Sequence, residues 1–189
     1  MAKSRRSIPD TLINNISDTL IISPRCREMF LSLDAEGAEA LRDRGVQVAG
    51  VSDLKSPFIV GRADPPFHVV LFTIAGAARY RTRDHAGIIE SGSLWIGPAH
   101  TAHAYEAVDE WVVCWFHFAP WALTGATSLQ TEAAVNPMHT AMEGFVSESV
   151  RGEPGAADAA RAYAALIGVF LDRALGPPSH PVQRSLAGL

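Results

Sequence analysis

Short runs of hydrophobic residues, separated by polar ones, fill the middle of the chain and predict β-strands. Between residues 46 and 120, runs rich in Val, Ile, Phe, Trp and Tyr alternate with Gly, Pro, Asp and Ser, a pattern typical of strands and turns. The predicted strands are Val46–Val51, Phe58–Arg62, Phe67–Ala75, Ala77–Thr82, Gly87–Glu90, Ser93–Ile96, His103–Ala107 and Glu110–Phe118. About eight short strands in roughly 75 residues indicate a jelly roll or a small barrel.

Ahead of these strands the hydrophobic pattern is helical. Apolar residues at helical spacing, among them Met29 and Leu33, lie between charged ones over residues 23–44. This spacing predicts one helix or two short ones. Residues 1–45 are therefore predicted to form an N-terminal arm and a helical lead to the strands.

A helical period returns after the strands. It predicts a helix from Asn136 to about Val150 and a second one from about Ala156 to Leu175. Four apolar residues share one face of the second helix: Tyr163, Ile167, Phe170 and Leu171. The fold class is thus predicted as mainly β with α, a barrel followed by a helix pair.

Composition and charge narrow the class of protein. Hydrophobic residues make up 48% and charged ones 19%, and the net charge is −4, which argues against a surface that binds nucleic acid throughout. No apolar run approaches the roughly 18 residues of a membrane helix, and no signal peptide is visible. Cys26 and Cys114 lack CxxC spacing. We therefore expect a cytoplasmic protein without membrane contact.

The stretch GSLWIGPAHTAHAY, residues 92–105, carries two histidines just after a glycine and a proline. It resembles the second cupin motif, in which a glycine turn leads through a strand to a proline turn and an inward histidine. His103 occupies the histidine position of that motif. On its own this resemblance leaves two alternatives, a metal ligand or the wall of a binding pocket.

A cupin metal site also needs ligands from the first cupin motif. In the matching stretch before Gly76, His68 is the only histidine and Val69 stands where a glutamate is expected. Iron or manganese needs several imidazole and carboxylate ligands that converge on one point. His100 and His117 could in principle contribute. We predict no metal and no cofactor.

The strand EWVVCWFHFAP, residues 110–120, resembles the strand that closes the effector-binding barrel of AraC-type transcription regulators. VQVAG and LFTIAGAARYR share the family's shape, and the helix pair follows in the family's order. The resemblance implies a cupin-like effector-binding barrel over residues 46–120 and a helical dimerisation unit over 121–176. It also implies a homodimer formed through the helix Ala156–Leu175. Residues 177–189 resemble a linker toward a DNA-binding domain that is absent from this chain, so DNA would be bound only through that domain.

Strand alternation and the resemblance together select the candidate ligand-binding residues. Trp111, Val113, Trp115 and His117 share one face of a strand, which the resemblance places inside the barrel with His103 and Tyr105. It also places Arg62 and Ser52 at ligand-contacting positions. The candidates are Ser52, Arg62, His103, Tyr105 and Trp115. The alternatives are a surface position for Arg62, core positions for His103 and Trp115, a Tyr105 hydroxyl that points to solvent, and an ordinary strand-end serine at Ser52.

Two classes of function follow. An arginine, an imidazole, a phenol and an indole suit a small-molecule effector, either a sugar that stacks on Trp115 or a small organic acid bound through Arg62. The first function is a sensing and dimerisation domain of an AraC-type regulator. The alternative is a metal-dependent cupin enzyme, such as an isomerase or dioxygenase. Because no base and orienting acid are arranged around a nucleophile, we predict no catalytic residues and no enzyme.

Overall fold

The computed structural model describes residues 16–123, 129–132 and 135–176, with the backbone alone for 129–132. The predicted linker, residues 177–189, and the first fifteen residues of the predicted arm lie outside the described residues. Within the described residues the strands are β1 Thr19–Ile22, β2 Arg27–Phe30, β3 Val46–Lys55, β4 Phe58–Arg62, β5 His68–Thr82, β6 Ala86–Glu90, β7 Ser93–Gly97, β8 His103–Phe118 and β9 Leu129–Glu132. The helices are α1 Glu39–Arg42, α2 Val135–Ser149 and α3 Ala156–Leu175.

All nine of these strands join one antiparallel sheet that is organised around β8. On one side β8 pairs with β5 along nearly its whole length, from His68 opposite Phe118 to Thr82 opposite His103. On its other side the first part of β8 pairs with β4 and the second part with β3. Strand β1 pairs with β4, and β2 pairs with β3. Strands β6 and β7 both pair with β5. The predicted class, mainly β with α, is confirmed.

Two predicted strand pairs are single long strands in the structure. Phe67–Ala75 and Ala77–Thr82 are both part of β5, and the register shifts on either side of Gly76. Gly76 has φ +72°, and a Cβ there would lie 1.9 Å from the carbonyl oxygen of Glu110. A glycine is required at this irregularity because the backbones approach so closely. The two strands predicted between His103 and Phe118 are likewise joined in β8.

The helical prediction for residues 23–44 is wrong over most of its length. Residues Arg27–Phe30 form β2, and the helix α1 is only four residues long, Glu39–Arg42. Strand β2 exists because it pairs with β3, with Glu28 opposite Ser52 and Phe30 opposite Gly50. That pairing is distant in sequence, so the local spacing of apolar residues did not reveal it.

The two long helices occur as predicted, and they pack on one face of the sheet. Methionines and a phenylalanine of α2 are fully buried in an apolar core with Phe72 of β5 and Phe116 of β8. Helix α3 packs mainly on α2 and α1. Arg44, just after α1, donates from Nε and Nη2 to the two carboxylate oxygens of Asp172 at 3.0 and 2.7 Å, which ties α1 to α3. None of the helices in this part of the chain is long and apolar enough to span a membrane.

The predicted apolar face of α3 is largely used within the protein. Ile167 and Leu171 are buried in the core that includes α2, while Tyr163 and Phe170 are partly buried against it. The exposed apolar residues of α3 lie on a different face and include Leu166 and Val169. Any contact between two α3 helices would therefore use this second face.

Candidate functional site

A cavity of about 240 Å³ is lined by residues of β1 to β5 and β8. Its apolar lining residues are Leu20, Ile22, Phe30, Val48, Leu54, Phe58, Val60, Leu71, Trp111, Val113 and Trp115. Its polar lining residues are Glu28, Ser52, Arg62, Tyr105 and His117. The side chains of Leu20, Ile22 and Phe30 are 59%, 47% and 56% exposed, so β1 and β2 form the mouth of the cavity.

Trp115 connects three strands at the wall of the cavity. Its indole N–H donates a hydrogen bond to the Ser52 hydroxyl oxygen at 2.8 Å, and the Ser52 hydroxyl donates to Glu28 at 3.2 Å. The Phe30 ring meets the Trp115 ring edge-on, with centroids 5.3 Å apart. A Cβ on Gly50 would lie 2.6 Å from the indole, so a glycine in β3 leaves room for Trp115. These contacts fix the orientation of the Trp115 ring at the cavity wall.

Arg62, at the end of β4, supplies the positive charge of the cavity. Burial, and to a lesser extent the charge of Arg62, lowers the pKa of His117 to about 4, so this imidazole is neutral at pH 7. The His117 ring stacks on Phe67 with centroids 4.2 Å apart. Burial raises the pKa of Tyr105 to about 12, against a smaller opposing effect of Arg62. The cavity thus combines the guanidinium of Arg62 and the carboxyl group of Glu28 with a neutral imidazole and a neutral phenol.

His103 lies behind the cavity wall instead of lining it. The side chain is fully buried between Trp95 and Tyr105, with ring centroids 5.5 and 6.2 Å away. Its Nδ1–H donates to the carbonyl oxygen of Thr101 at 2.9 Å, and Nε2 has no partner among the described residues. Burial, the main cause, and the charge of Arg62 lower the pKa of His103 to about 4.

The structure thus brings four of the five candidate residues to one cavity: Ser52, Arg62, Tyr105 and Trp115. The fifth, His103, supports Tyr105 from behind. Glu28 and Phe30 were missed because they belong to β2, which was predicted as helix. The signal that could have found them is the alternation in REMF, which turns Glu28 and Phe30 to the same face. His117 was predicted to share the face of Trp115 and does so.

No three His, Cys, Asp or Glu side chains cluster to hold a metal ion in the part of the chain that the structure describes. His68, the one histidine of the stretch that matches the first cupin motif, is engaged in structural hydrogen bonds. Its Nδ1 accepts from the backbone N–H of Ala99 at 3.0 Å, and its Nε2–H donates to the carbonyl oxygen of Pro120 at 3.0 Å.

A curled antiparallel sheet with a mostly apolar cavity and a few convergent polar groups defines a small-molecule-binding barrel. The family model described as the AraC-like ligand binding domain matches residues 56–176, from β4 to α3. The chain belongs to this family. It is therefore an effector-binding domain, and the predicted relationship to AraC-type regulators is confirmed.

Comparison with solved structures gave several similar structures of low sequence identity. A predicted oxalate decarboxylase of Thermotoga maritima shares 12% identity with a TM-score of 0.43, and the match covers 55% of this chain and 93% of that protein. A cupin superfamily protein of Desulfitobacterium hafniense shares 13% identity with a TM-score of 0.41, covering 62% and 94%. Protein Ylba of E. coli shares 15% identity with a TM-score of 0.46, covering 67% and 50%. The comparison with curated proteins gave no significant match.

Proposed function

We propose that this chain senses a sugar or a small organic acid and forms the dimerisation unit of an AraC-type transcription regulator. The observation that carries the proposal is the cavity of about 240 Å³, whose wall presents an indole, a phenol, an imidazole and a guanidinium. This volume lies below the roughly 300–1,000 Å³ of sites that take drug-sized ligands. A small metabolite is therefore the expected effector.

Dimerisation through α3 is part of the proposal, and the exposed face of α3 supports it. The face consists of Ala162, Ala165, Leu166 and Val169, with Leu166 and Val169 42% and 41% exposed. The two alanines allow a second helix to approach closely. A specific interface buries roughly 1,200–2,000 Å² in total, which two copies of this face and its surroundings would need to supply.

Within this proposal the chain regulates and does not catalyse. The regulator contacts DNA only through a C-terminal helix-turn-helix domain that is not in this chain, and it works in the cytoplasm. These expectations rest on the family to which the chain belongs.

A thermal-shift screen against sugars and small organic acids tests the sensing function. A compound that binds the folded protein alone stabilises it by mass action, by about 2.7 kcal/mol at a hundredfold excess over its Kd. We expect at least one compound to raise the Tm in proportion to the logarithm of its concentration. A screen in which no sugar or acid shifts the Tm would contradict the proposal.

A further inference from the structure

The chemistry of the cavity wall distinguishes between the two effector classes that the proposed function leaves open. Eleven of the sixteen lining residues are apolar, so a ligand with hydroxyls on all sides would place most of them against hydrocarbon. A polar group that loses water without gaining a hydrogen bond costs free energy. The wall therefore disfavours a sugar and favours a ligand whose polarity is confined to one end.

Part of the wall's hydrogen-bonding capacity is already used by the protein. The indole N–H of Trp115 is donated to Ser52, and the Ser52 hydroxyl is donated to Glu28. Neither donor is free to pair with ligand hydroxyls unless this chain of bonds is broken. The Trp115 ring remains available as an apolar surface.

Among the charged side chains of the wall, Glu28 accepts a hydrogen bond from Ser52, whereas the guanidinium of Arg62 has no partner within the described residues. This side chain makes no ion pair and no hydrogen bond with any other described residue, Glu28 included. Its neighbours Tyr105 and His117 are neutral at pH 7. A partly buried guanidinium next to apolar surface gains most from a carboxylate, which accepts two parallel hydrogen bonds from it.

We propose that the cavity binds a small monocarboxylate with an apolar body, the carboxylate at Arg62 and the body against the Trp115 ring. The inference rests on the proposed sensing function and names its ligand class. A single guanidinium accounts for one carboxylate, and the volume of about 240 Å³ limits the body to the size of a branched alkyl chain or one aromatic ring.

Calorimetry with matched pairs of compounds tests the ligand class. The acids are benzoate, phenylacetate, 3-phenylpropanoate and 3-methylbutanoate, and each is compared with its own primary amide, which keeps the shape and removes the charge. L-Phenylalanine, which adds an ammonium group to 3-phenylpropanoate, and the sugars D-xylose and D-glucose complete the set. The proteins are the wild type, Arg62→Gln, and the control Arg83→Gln, which removes an exposed arginine in the turn after β5.

We expect at least one acid to bind about ten- to a hundredfold more tightly than its amide, the range of a charge-assisted hydrogen bond. Arg62→Gln should abolish this preference at an unchanged Tm, and Arg83→Gln should retain it. Equal affinity for acid and amide, tighter binding of L-phenylalanine or a sugar, or no binding of any acid at millimolar concentration would each overturn the ligand class. If a sugar binds instead, the proposed sensing function is retained and only the ligand class is wrong. If nothing binds here or in the wider screen, both the sensing function and the ligand class are contradicted.

Discussion

Trp115 is the single residue on which most of the site converges, because its ring faces the cavity while its N–H is bonded to β3. Its position follows from strand alternation, which the sequence makes visible in β8. The positions of Glu28 and Phe30 could not be predicted in the same way. They belong to a four-residue strand whose register is set by β3, some twenty residues away.

Replacement of Trp115 tests its role in the site. Trp115→Ala should weaken binding of any effector found by the screen about ten- to a hundredfold, since a buried aromatic anchor contributes roughly 1–3 kcal/mol. Titration calorimetry measures the loss. Trp121→Ala is the control, because Trp121 is also partly exposed but does not line the cavity. Equal affinities of wild type and Trp115→Ala would remove this residue from the site.

His103 should make the protein sensitive to acid. Its pKa is lowered from 6.5 to about 4 in the folded protein, so the unfolded chain binds the proton more readily between these values. Stability should therefore fall as the pH drops from about 6.5 to about 4, by on the order of 2–3 kcal/mol from this residue, with no further loss below pH 4. In His103→Asn, which keeps a donor for Thr101, this part of the loss should disappear from a series of Tm values against pH.

The control for this measurement is His100→Asn. His100 is exposed and has φ +58°, a conformation that asparagine tolerates. The loss of stability that His103→Asn removes should remain in this variant. If His103→Asn and His100→Asn lose stability in parallel from pH 6.5 to 4, the burial of His103 does not explain the acid sensitivity.

At the scale of elements, the sequence predicted the long helices and the strand-rich middle well, because their periods extend over many residues. It divided β5 and β8 in two because Gly76 and Asp109 resemble turn residues. In the structure both strands continue through these points, since each has a paired neighbour that holds it. Short edge strands such as β2 have too few residues to show a recognisable alternation of apolar and polar positions.

The exposed face of α3 leads to a prediction about assembly. Leu166→Glu should convert a dimer into a monomer, because a carboxylate buried without a partner in an apolar interface is costly. Light scattering at micromolar concentration should change from about twice 20.3 kDa to 20.3 kDa. Val150→Glu, at a 77% exposed apolar residue at the end of α2, is the control and should remain dimeric. A wild type that is monomeric with and without effector would contradict the prediction.

In the whole molecule, the sheet separates two apolar compartments. One contains the cavity and the aromatic residues around Tyr105 and Trp111, and the other lies between the sheet and the helices. The fold class could be predicted from the sequence because the strand-rich and helical segments are sequential. The way in which β1 and β2 close the mouth of the cavity could not, because it depends on pairings across the whole domain.

The placement of the histidines in the barrel predicts how the protein responds to metal removal. Treatment with a chelator should change neither the Tm nor effector affinity, and elemental analysis should find far less than one equivalent of metal. The reason is that His117 stacks on Phe67 and His103 lies behind the wall, so these imidazoles do not converge with carboxylates on one point. Stoichiometric iron, manganese, nickel or zinc that is lost in His103→Ala would favour the alternative cupin enzyme.

Along the second half of β8, odd-numbered residues contribute to the proposed ligand binding and even-numbered residues contribute to the core. Val113, Trp115 and His117 border the cavity, while Cys114 and Phe116 are buried in the core beneath the helices. Libraries that randomise the odd-numbered positions should therefore yield domains with new effector preferences and an unchanged architecture. Changes at the even-numbered positions should lower the stability of the folded domain. The strand gives the domain a route by which recognition can diversify independently of its scaffold.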